Sequence, residues 1–279
     1  MHLLDSELRN KEEWEAAEIE LPKFDREAMK AATRECPQWV HFGAGNIFRA
    51  FPAACQQKLL NDGVEKTGII VAEGYDYEII KKAYRPQDDL SLLVTLKANG
   101  TIEKTVIGSL AQSLTVDRQD AEDWNCLKDI FASKTLQMVS FTITEKGYSI
   151  TSADGSFRPD VKADFEAGPE QADSYIGKLA ALCYWRYTHG AAPLALVSMD
   201  NCSHNGDKSV SYTHLLCIRY FCPVRHYGTS HVWCDIETEV SILCSYGRIS
   251  GRKRLSGSHQ DTGSGIGRGR TSGLYLHEA

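Results

Sequence analysis

The sequence predicts an α/β protein with a doubly wound, mostly parallel sheet, followed by an irregular C-terminal tail. Short apolar runs typical of buried strands alternate with stretches of helical periodicity. The first run passes into a helix through a pair of glycines, in WVHFGAGNIFRAF at residues 39–51. After residue 208 the alternation ends. We therefore expect a helical lead-in at 1–37, a sheet domain at 38–208 and an aberrant or disordered tail at 209–279.

The residues up to the second predicted strand indicate two helices followed by a βαβ unit. Helical spacing predicts helices over 6–19 and 25–35, the second of them capped by Asp25. Strands are predicted at 38–42 (QWVHF) and 69–73 (IIVAE), on either side of a helix that starts at the glycines. Two strands bracketing one helix within about 35 residues indicate a βαβ unit with parallel strands and a right-handed crossover.

The alternation continues downstream of this unit and supports a sheet with helices on both faces. The predicted strands lie at 90–96, 101–116, 136–144 and 193–200, and the predicted helices lie at 121–132 and 174–187.

The glycine turn has the pattern of a dinucleotide-binding loop of the Rossmann type. Gly43 permits a tight turn out of the strand, and Gly45 lets the backbone approach a pyrophosphate at the N-terminus of the helix. Arg49, one turn into that helix, adds a cation near the phosphates. The usual third glycine is replaced by Phe48. The simpler alternative is a strand-to-helix turn that needs glycine only for a positive φ.

An acid at the end of the second strand is expected to hold the ribose hydroxyls of such a dinucleotide. Glu73 and Asp76, in VAEGYD, are the candidates. Either carboxylate would repel a 2′-phosphate and favour NAD over NADP. The alternative is that both are solvated loop acids.

Three polar clusters follow predicted strands: GAGN, TEKGY and DNCSHNG. Ligands of doubly wound sheets bind at such strand ends. An asparagine amide is a good donor to a developing alkoxide, and Asn201 suits that role better than Asn205. Lys146 and His204 are candidate proton carriers, although an exposed loop histidine is the simpler interpretation of His204. Cys202 is interpreted as an incidental thiol, because no neighbour in the sequence activates it.

Composition excludes several classes of partner. The net charge of −6 argues against general nucleic-acid binding, and no apolar run reaches the roughly 18 residues of a membrane helix. The N-terminal residues are charged and lack the apolar stretch of a signal peptide. The nine cysteines form no tight framework in the first 200 residues, which favours reduced thiols and a cytoplasmic location.

The segments WVHFGAGNIFRAF, VAEGYD, FTITEKGY and LALVSMDNCSHNGDK together resemble the long-chain mannitol dehydrogenase family, and within it the fructuronate reductase (mannonate oxidoreductase) form. The resemblance covers about residues 20 to 208, and its DNxxxNG pattern is highly specific. It implies metal-independent, NAD-dependent oxidation of a sugar alcohol or sugar acid, with Asn201 polarising the carbonyl. The cofactor-binding residues that we predict are Val40, His41, Phe42, Gly43, Ala44, Gly45, Asn46, Ile47, Phe48, Arg49, Ala50, Phe51, Glu73, Asp76, Thr144, Glu145, Lys146 and Asp200.

The chain departs from the family after residue 208. The resemblance implies a helical substrate domain with a VDRI-type segment and a Lys-x-x-x-x-Asn-x-x-His motif, and neither occurs in this sequence. Residues 1–208 carry 23 Lys and Arg against 32 Asp and Glu, whereas residues 209–279 carry 8 against 5. This change favours a frameshift or a join to unrelated sequence.

Two other interpretations of residues 209–279 are weaker. One is a divergent tail that folds onto the sheet. The other is a metal module, but the spacing of its candidate ligands departs from that of structural zinc sites, and we predict no metal. Those candidates are Cys217, Cys222, His226, His231 and Cys234.

Two functions are compatible with these patterns. The first is the cofactor domain of an oxidoreductase that transfers hydride between NAD(H) and a sugar alcohol or hexuronate, with little or no turnover in this chain. The second is a dinucleotide-binding module without catalysis, which would keep the glycine turn and lose the proton-transfer residues.

Overall fold

The computed structural model of the chain describes residues 2–143, 147–190 and 192–200. Within them, eight strands form a sheet of five strands and a sheet of three. The strands are β1 (Ile19–Glu20), β2 (Trp39–Phe42), β3 (Ile69–Glu73), β4 (Ser91–Leu96), β5 (Ile102–Ile107), β6 (Leu110–Thr115), β7 (Met138–Phe141) and β8 (Ala195–Ser198).

The described helices connect these strands. They are α1 (Lys11–Ala16), α2 (Arg26–Glu35), α3 (Asn46–Ala50), α4 (Pro52–Asn61), α5 (Tyr77–Ile79), α6 (Ala121–Ala132), α7 (Pro159–Ala167) and α8 (Tyr175–Thr188). Short 3-10 turns cover Glu7–Arg9, Arg85–Gln87 and Pro169–Gln171, and a π-helical turn covers Ile80–Tyr84.

The five-stranded sheet has the order β6-β3-β2-β7-β8, and all of its strand pairs are parallel. Alternate residues of its strands enter two separate cores. Val40, Phe42 and Ala72 join one core with residues of α6 and α8, while Val71 joins another with residues of α3 and α4. The predicted doubly wound, parallel α/β fold is thereby confirmed.

Capping side chains set the start of α2, α6 and α8. The Asp25 side chain accepts from the N–H of Ala28 at 3.1 Å, as the sequence predicted for α2. Asp120 and Ser174 cap α6 and α8 in the same manner. Each cap satisfies a backbone N–H that the first turn of a helix leaves without an intrahelical partner.

The predicted N-terminal helix is shorter in the structure. α1 ends at Ala16, because Glu18 takes a left-handed φ of 56° and turns the chain into β1. β1 pairs in parallel with β5, which pairs in antiparallel with β4. The lead-in therefore contributes a strand to the three-stranded sheet. A strand of two residues is too short to show a periodic pattern in the sequence, so it was not predicted.

Two further predicted elements are each divided. The helix after the glycine turn breaks at Phe51, whose φ of −120° and ψ of −69° separate α3 from α4. The strand predicted at 101–116 becomes β5 and β6, which belong to different sheets. Gly108 lies between them, where a Cβ would come within 2.9 Å of the Arg26 side chain. The guanidinium of Arg26 donates to the carbonyl of Gly108 and holds the chain at this crossing.

Candidate functional site

The carboxyl ends of the parallel strands meet at one edge of the five-stranded sheet. β3 and β6 lie on one side of β2, and β7 and β8 lie on the other side. The crevice between β2 and β7 is therefore the point where the strand order reverses, and ligands of open α/β sheets bind at such points. Most of the residues that the sequence predicts as a site are at this edge.

Gly43 and Gly45 serve the turn after β2 for different reasons. Gly43 has a φ of 108°, and a Cβ there would lie 2.4 Å from the backbone oxygen of Thr142. Gly45 has an ordinary φ of −73°, and a Cβ there would meet no atom within 4 Å. Gly43 is thus required by the fold, while Gly45 leaves open space at the start of α3. Open space beside backbone N–H groups is what a pyrophosphate requires.

Glu73 holds the glycine turn from the β3 side. Its side chain is 8 % exposed. One carboxylate oxygen accepts from the N–H of Ala44 at 2.8 Å, and the other accepts from the N–H groups of Tyr75 at 2.8 Å and Asp76 at 3.2 Å. The Asp76 side chain is exposed. Of the two predicted acids, Glu73 shapes the turn, and Asp76 is the one that faces solvent.

Ala44 is fixed through both of its backbone groups. Its N–H donates to Glu73, and its carbonyl accepts from the Tyr84 hydroxyl at 2.7 Å. Burial raises the pKa of Tyr84 above its usual range, so the hydroxyl remains a donor. The Arg49 guanidinium lies 5.5 Å from the centre of the Tyr84 ring and bonds to the Asn46 side chain. The Arg49 side chain therefore reaches back to the first residue of α3, beside the predicted phosphate site.

Other predicted residues of 40–51 divide into two groups. Four are buried and pack in the core: Val40, Phe42, Ala44 and Phe48. Four have exposed side chains on or next to α3: Asn46, Ile47, Ala50 and Phe51. The exposed group is accessible to a ligand, whereas the buried group acts on a ligand through the position of the backbone.

His41, a residue of β2, is completely buried. Its ring stacks on Phe48, with 4.1 Å between ring centres and 9° between planes. Nδ1 lies 2.7 Å from the Ser140 hydroxyl, and Nε2 lies 2.8 Å from the Thr142 hydroxyl. Burial lowers the pKa of His41 to about 3, so the ring is neutral at physiological pH. The sequence reasoning missed this network, because its partners lie about a hundred residues apart in the chain.

Asp200 fixes the ends of β7 and β8. Its carboxylate accepts from the N–H of Ile143 at 2.9 Å and from the Tyr148 hydroxyl at 2.7 Å. The Tyr148 hydroxyl also contacts the Ser198 hydroxyl at 2.7 Å. Asp200 therefore anchors the strand end from which the predicted catalytic Asn201 follows. Several predicted residues lie outside the described residues: Asn201, Cys202, His204, Asn205, Thr144, Glu145 and Lys146.

Tyr175, at the start of α8, is a residue that the sequence reasoning missed. Its ring covers Gly74, where a Cβ would lie 2.7 Å from the ring, and it meets Phe42 edge-on. Its hydroxyl is buried and has no hydrogen-bond partner in the part of the chain that the structure describes. Burial, with nearby Glu73, raises its pKa well above the usual range. A buried hydroxyl without a partner fits a site that a ligand or water completes.

The described residues contain neither a grouped set of metal ligands nor a membrane-spanning helix. Among residues 2–143, 147–190 and 192–200, no three His, Cys, Asp or Glu side chains are grouped to hold a metal ion. The Cys/His cluster between 217 and 234 lies outside these ranges. No helix in the described ranges is both long and apolar enough to cross a bilayer.

Comparison with known proteins gives matches over this part of the chain. A family model described as the mannitol dehydrogenase Rossmann domain matches residues 37–213. D-mannonate oxidoreductase of Thermotoga maritima is 44 % identical over 211 residues, which are 76 % of this chain and 39 % of that protein. The polyol:NADP oxidoreductase of Gluconobacter oxydans is 30 % identical over 68 % of this chain and 38 % of its own length.

A solved structure of Pseudomonas fluorescens mannitol 2-dehydrogenase, in a ternary complex with NAD and D-mannitol, superposes with a TM-score of 0.64. The two chains are 27 % identical, and the match covers 79 % of this chain and 43 % of the other. The chain thus spans about two fifths of the length of the relatives that it matches.

Proposed function

The chain belongs to the mannitol dehydrogenase family, and we propose that residues 38–208 are the NAD-binding domain of an oxidoreductase acting on a sugar alcohol or hexuronate. The observation that carries this proposal is the glycine turn at the β2–β7 crevice. A side chain at Gly43 would clash with the backbone of Thr142, whereas Gly45 leaves room for a ligand. The Glu73 carboxylate accepts from the N–H of Ala44, which lies between the two glycines.

NAD, when bound, supplies the hydride acceptor, so the protein has to hold the dinucleotide, place the reacting carbon and move one proton. The backbone of residues 43–46 would receive the pyrophosphate at the start of α3, with Arg49 adding positive charge. Asp76 would face the adenosine ribose, and its charge disfavours a 2′-phosphate. Asn201 would donate its amide hydrogen to the substrate oxygen where negative charge develops.

The preferred substrate is a hexonate of the D-mannonate type, oxidised to the corresponding keto acid. The support is the 44 % identity to the D-mannonate oxidoreductase of Thermotoga maritima, against 30 % to the polyol oxidoreductase of Gluconobacter oxydans. A cytoplasmic location is part of the proposal and fits the free thiols of the described cysteines, Cys36, Cys55, Cys126 and Cys183. Fractionation of host cells tests that location.

Cofactor binding is tested by calorimetric titration of the full chain with NADH. Gly45→Val is the informative variant, because the side chain enters open space and leaves the fold intact while blocking the approach of a pyrophosphate. Ala31→Val, which places a valine side chain on an exposed face of α2, is the control. We expect micromolar to sub-millimolar binding by the wild type and the control, and loss of binding in Gly45→Val. A folded wild type that does not bind NADH contradicts the proposal.

Catalysis is a separate question, because the sequence lacks the family's Lys-x-x-x-x-Asn-x-x-His motif. We expect NADH binding with little or no oxidation of NADH by fructuronate or fructose, measured by NADH absorbance. This result also fits the alternative function, a dinucleotide-binding module without catalysis. Turnover at the rate of a typical dehydrogenase would exclude that alternative and contradict our expectation of an inactive chain.

A further inference from the structure

The proton positions in the buried network between β2 and β7 follow from its partners. The Trp39 indole N–H can only donate, and it lies 2.7 Å from the Ser140 hydroxyl oxygen. In the described residues, Ser140 has one other side-chain partner, Nδ1 of His41 at 2.7 Å. The Ser140 proton therefore has His41 Nδ1 as its acceptor, since a buried hydroxyl otherwise loses a hydrogen bond.

This assignment determines the tautomer of His41. With Nδ1 accepting, the single proton of the neutral imidazole is on Nε2. Nε2 then donates to the Thr142 oxygen at 2.8 Å. Thr142 follows β7 directly and is partly exposed, and its hydroxyl oxygen lies 3.0 Å from the position of a Cβ on Gly43. Because its oxygen already accepts from His41, the proton of the Thr142 hydroxyl is available to the crevice.

We propose that Thr142 is a further cofactor-binding residue, which donates its hydroxyl proton to the nicotinamide-side ribose, and that His41 is a positioning residue acting through it. The inference rests on the proposed function. β2, β3 and β6 form the first half of the sheet, and Thr142 is at the end of β7, the first strand of the second half. In doubly wound dinucleotide-binding sheets each half receives one nucleotide, which places Thr142 with the second.

The first experiment compares NADH with ADP, which lacks the nicotinamide nucleoside. We expect Thr142→Val to weaken NADH binding by about three- to tenfold, the effect of one neutral hydrogen bond, and to leave ADP binding within about twofold. Thr142→Ser keeps the hydroxyl and should bind NADH like the wild type. Thr101→Val makes the same substitution on an exposed turn and is the control.

The second experiment is a double-mutant cycle on NADH affinity with His41→Leu. If His41 acts through Thr142, His41→Leu weakens binding in the wild-type background and has no further effect in Thr142→Val. His41→Gln, whose amide is able to donate to Thr142, should recover part of the affinity. Equal effects of His41→Leu in both backgrounds would overturn the positioning role.

The outcomes separate this inference from the function on which it rests. A folded wild type that binds neither NADH nor ADP contradicts the proposed function. A wild type that binds both, with Thr142→Val unchanged toward NADH, overturns the role of Thr142 alone. Equal weakening of NADH and ADP by Thr142→Val overturns the assignment to the nicotinamide half. If His41→Leu does not fold, the Thr142 variants still test the role of Thr142. Thr142 is partly exposed, and valine has nearly the same shape as threonine.

Discussion

The glycine turn is held on its two sides by different chemistry. On the β3 side, a carboxylate accepts three backbone N–H groups: Glu73 binds Ala44 and the residues two and three positions after itself, Tyr75 and Asp76. On the β7 side, a neutral histidine joins the hydroxyls of Ser140 and Thr142 and is completely buried. The first junction is a charged clamp on the backbone, and the second is a neutral side-chain network. Substitution and pH should therefore affect the two junctions differently.

Substitution of Gly43 affects both junctions and should have the largest effect. Gly43→Ala forces a Cβ against the backbone oxygen of Thr142 and requires a residue with a side chain to hold a φ of 108°. We expect a loss of about 3 kcal/mol or more in the free energy of unfolding, from backbone strain plus overpacking. Urea denaturation measures it. Gly45→Ala is the control and should remain within about 1 kcal/mol of the wild type, since a Cβ there meets nothing within 4 Å.

Removal of the Glu73 carboxylate affects the β3 junction alone. Glu73→Ala leaves the N–H of buried Ala44 without an acceptor, and we expect a loss of about 2–3 kcal/mol in the free energy of unfolding. Asp76→Ala removes an exposed carboxylate from the same loop and should change stability by less than about 0.5 kcal/mol. A Glu73 variant as stable as the Asp76 variant would show that the clamp contributes nothing to the turn.

The sequence predicted the parts of the fold that have long local signals. α2, α6, α8 and the strands β2, β3, β7 and β8 were predicted because periodic apolar residues, capping side chains and the glycine pair lie within each segment. The resemblance to the mannitol dehydrogenase family is confirmed for the same reason, since its motifs are contiguous. Where the outcome depended on a distant contact, as at Gly108 against Arg26, the prediction of one long strand was wrong.

The site was predictable to a smaller extent. The roles given to Gly43, Gly45 and the two acids at the end of β3 stay predictions about a ligand, while their placement at one sheet edge follows from the strand order. The network around His41 was missed because its partners come from another strand. One signal was present: Ser140 and Thr142 alternate in the apolar run SFTIT and so share one face of β7 and its extension.

The last expected effect concerns the neutral junction, and it is small near neutral pH and grows as pH falls. The folded state lowers the pKa of His41 to about 3, against about 6.5 in an unfolded chain. As pH falls below 6.5, the unfolded state takes up a proton that the folded state does not, so the free energy of unfolding decreases with decreasing pH. From pH 6.5 to 5.5 we expect His41 to contribute a loss of about 1 kcal/mol, rising toward about 1.4 kcal/mol for each further unit above the folded pKa.

Urea denaturation of the wild type and His41→Gln, at half-unit steps from pH 7 to 4.5, isolates this contribution. Glutamine does not titrate, so the difference in stability between the two proteins should shrink or reverse in favour of the variant as pH falls. All other titrating groups are common to both proteins and cancel in the difference. Parallel stability curves would mean that His41 titrates alike in both states. The β7 side of the turn would then lack the acid sensitivity that the burial of His41 predicts.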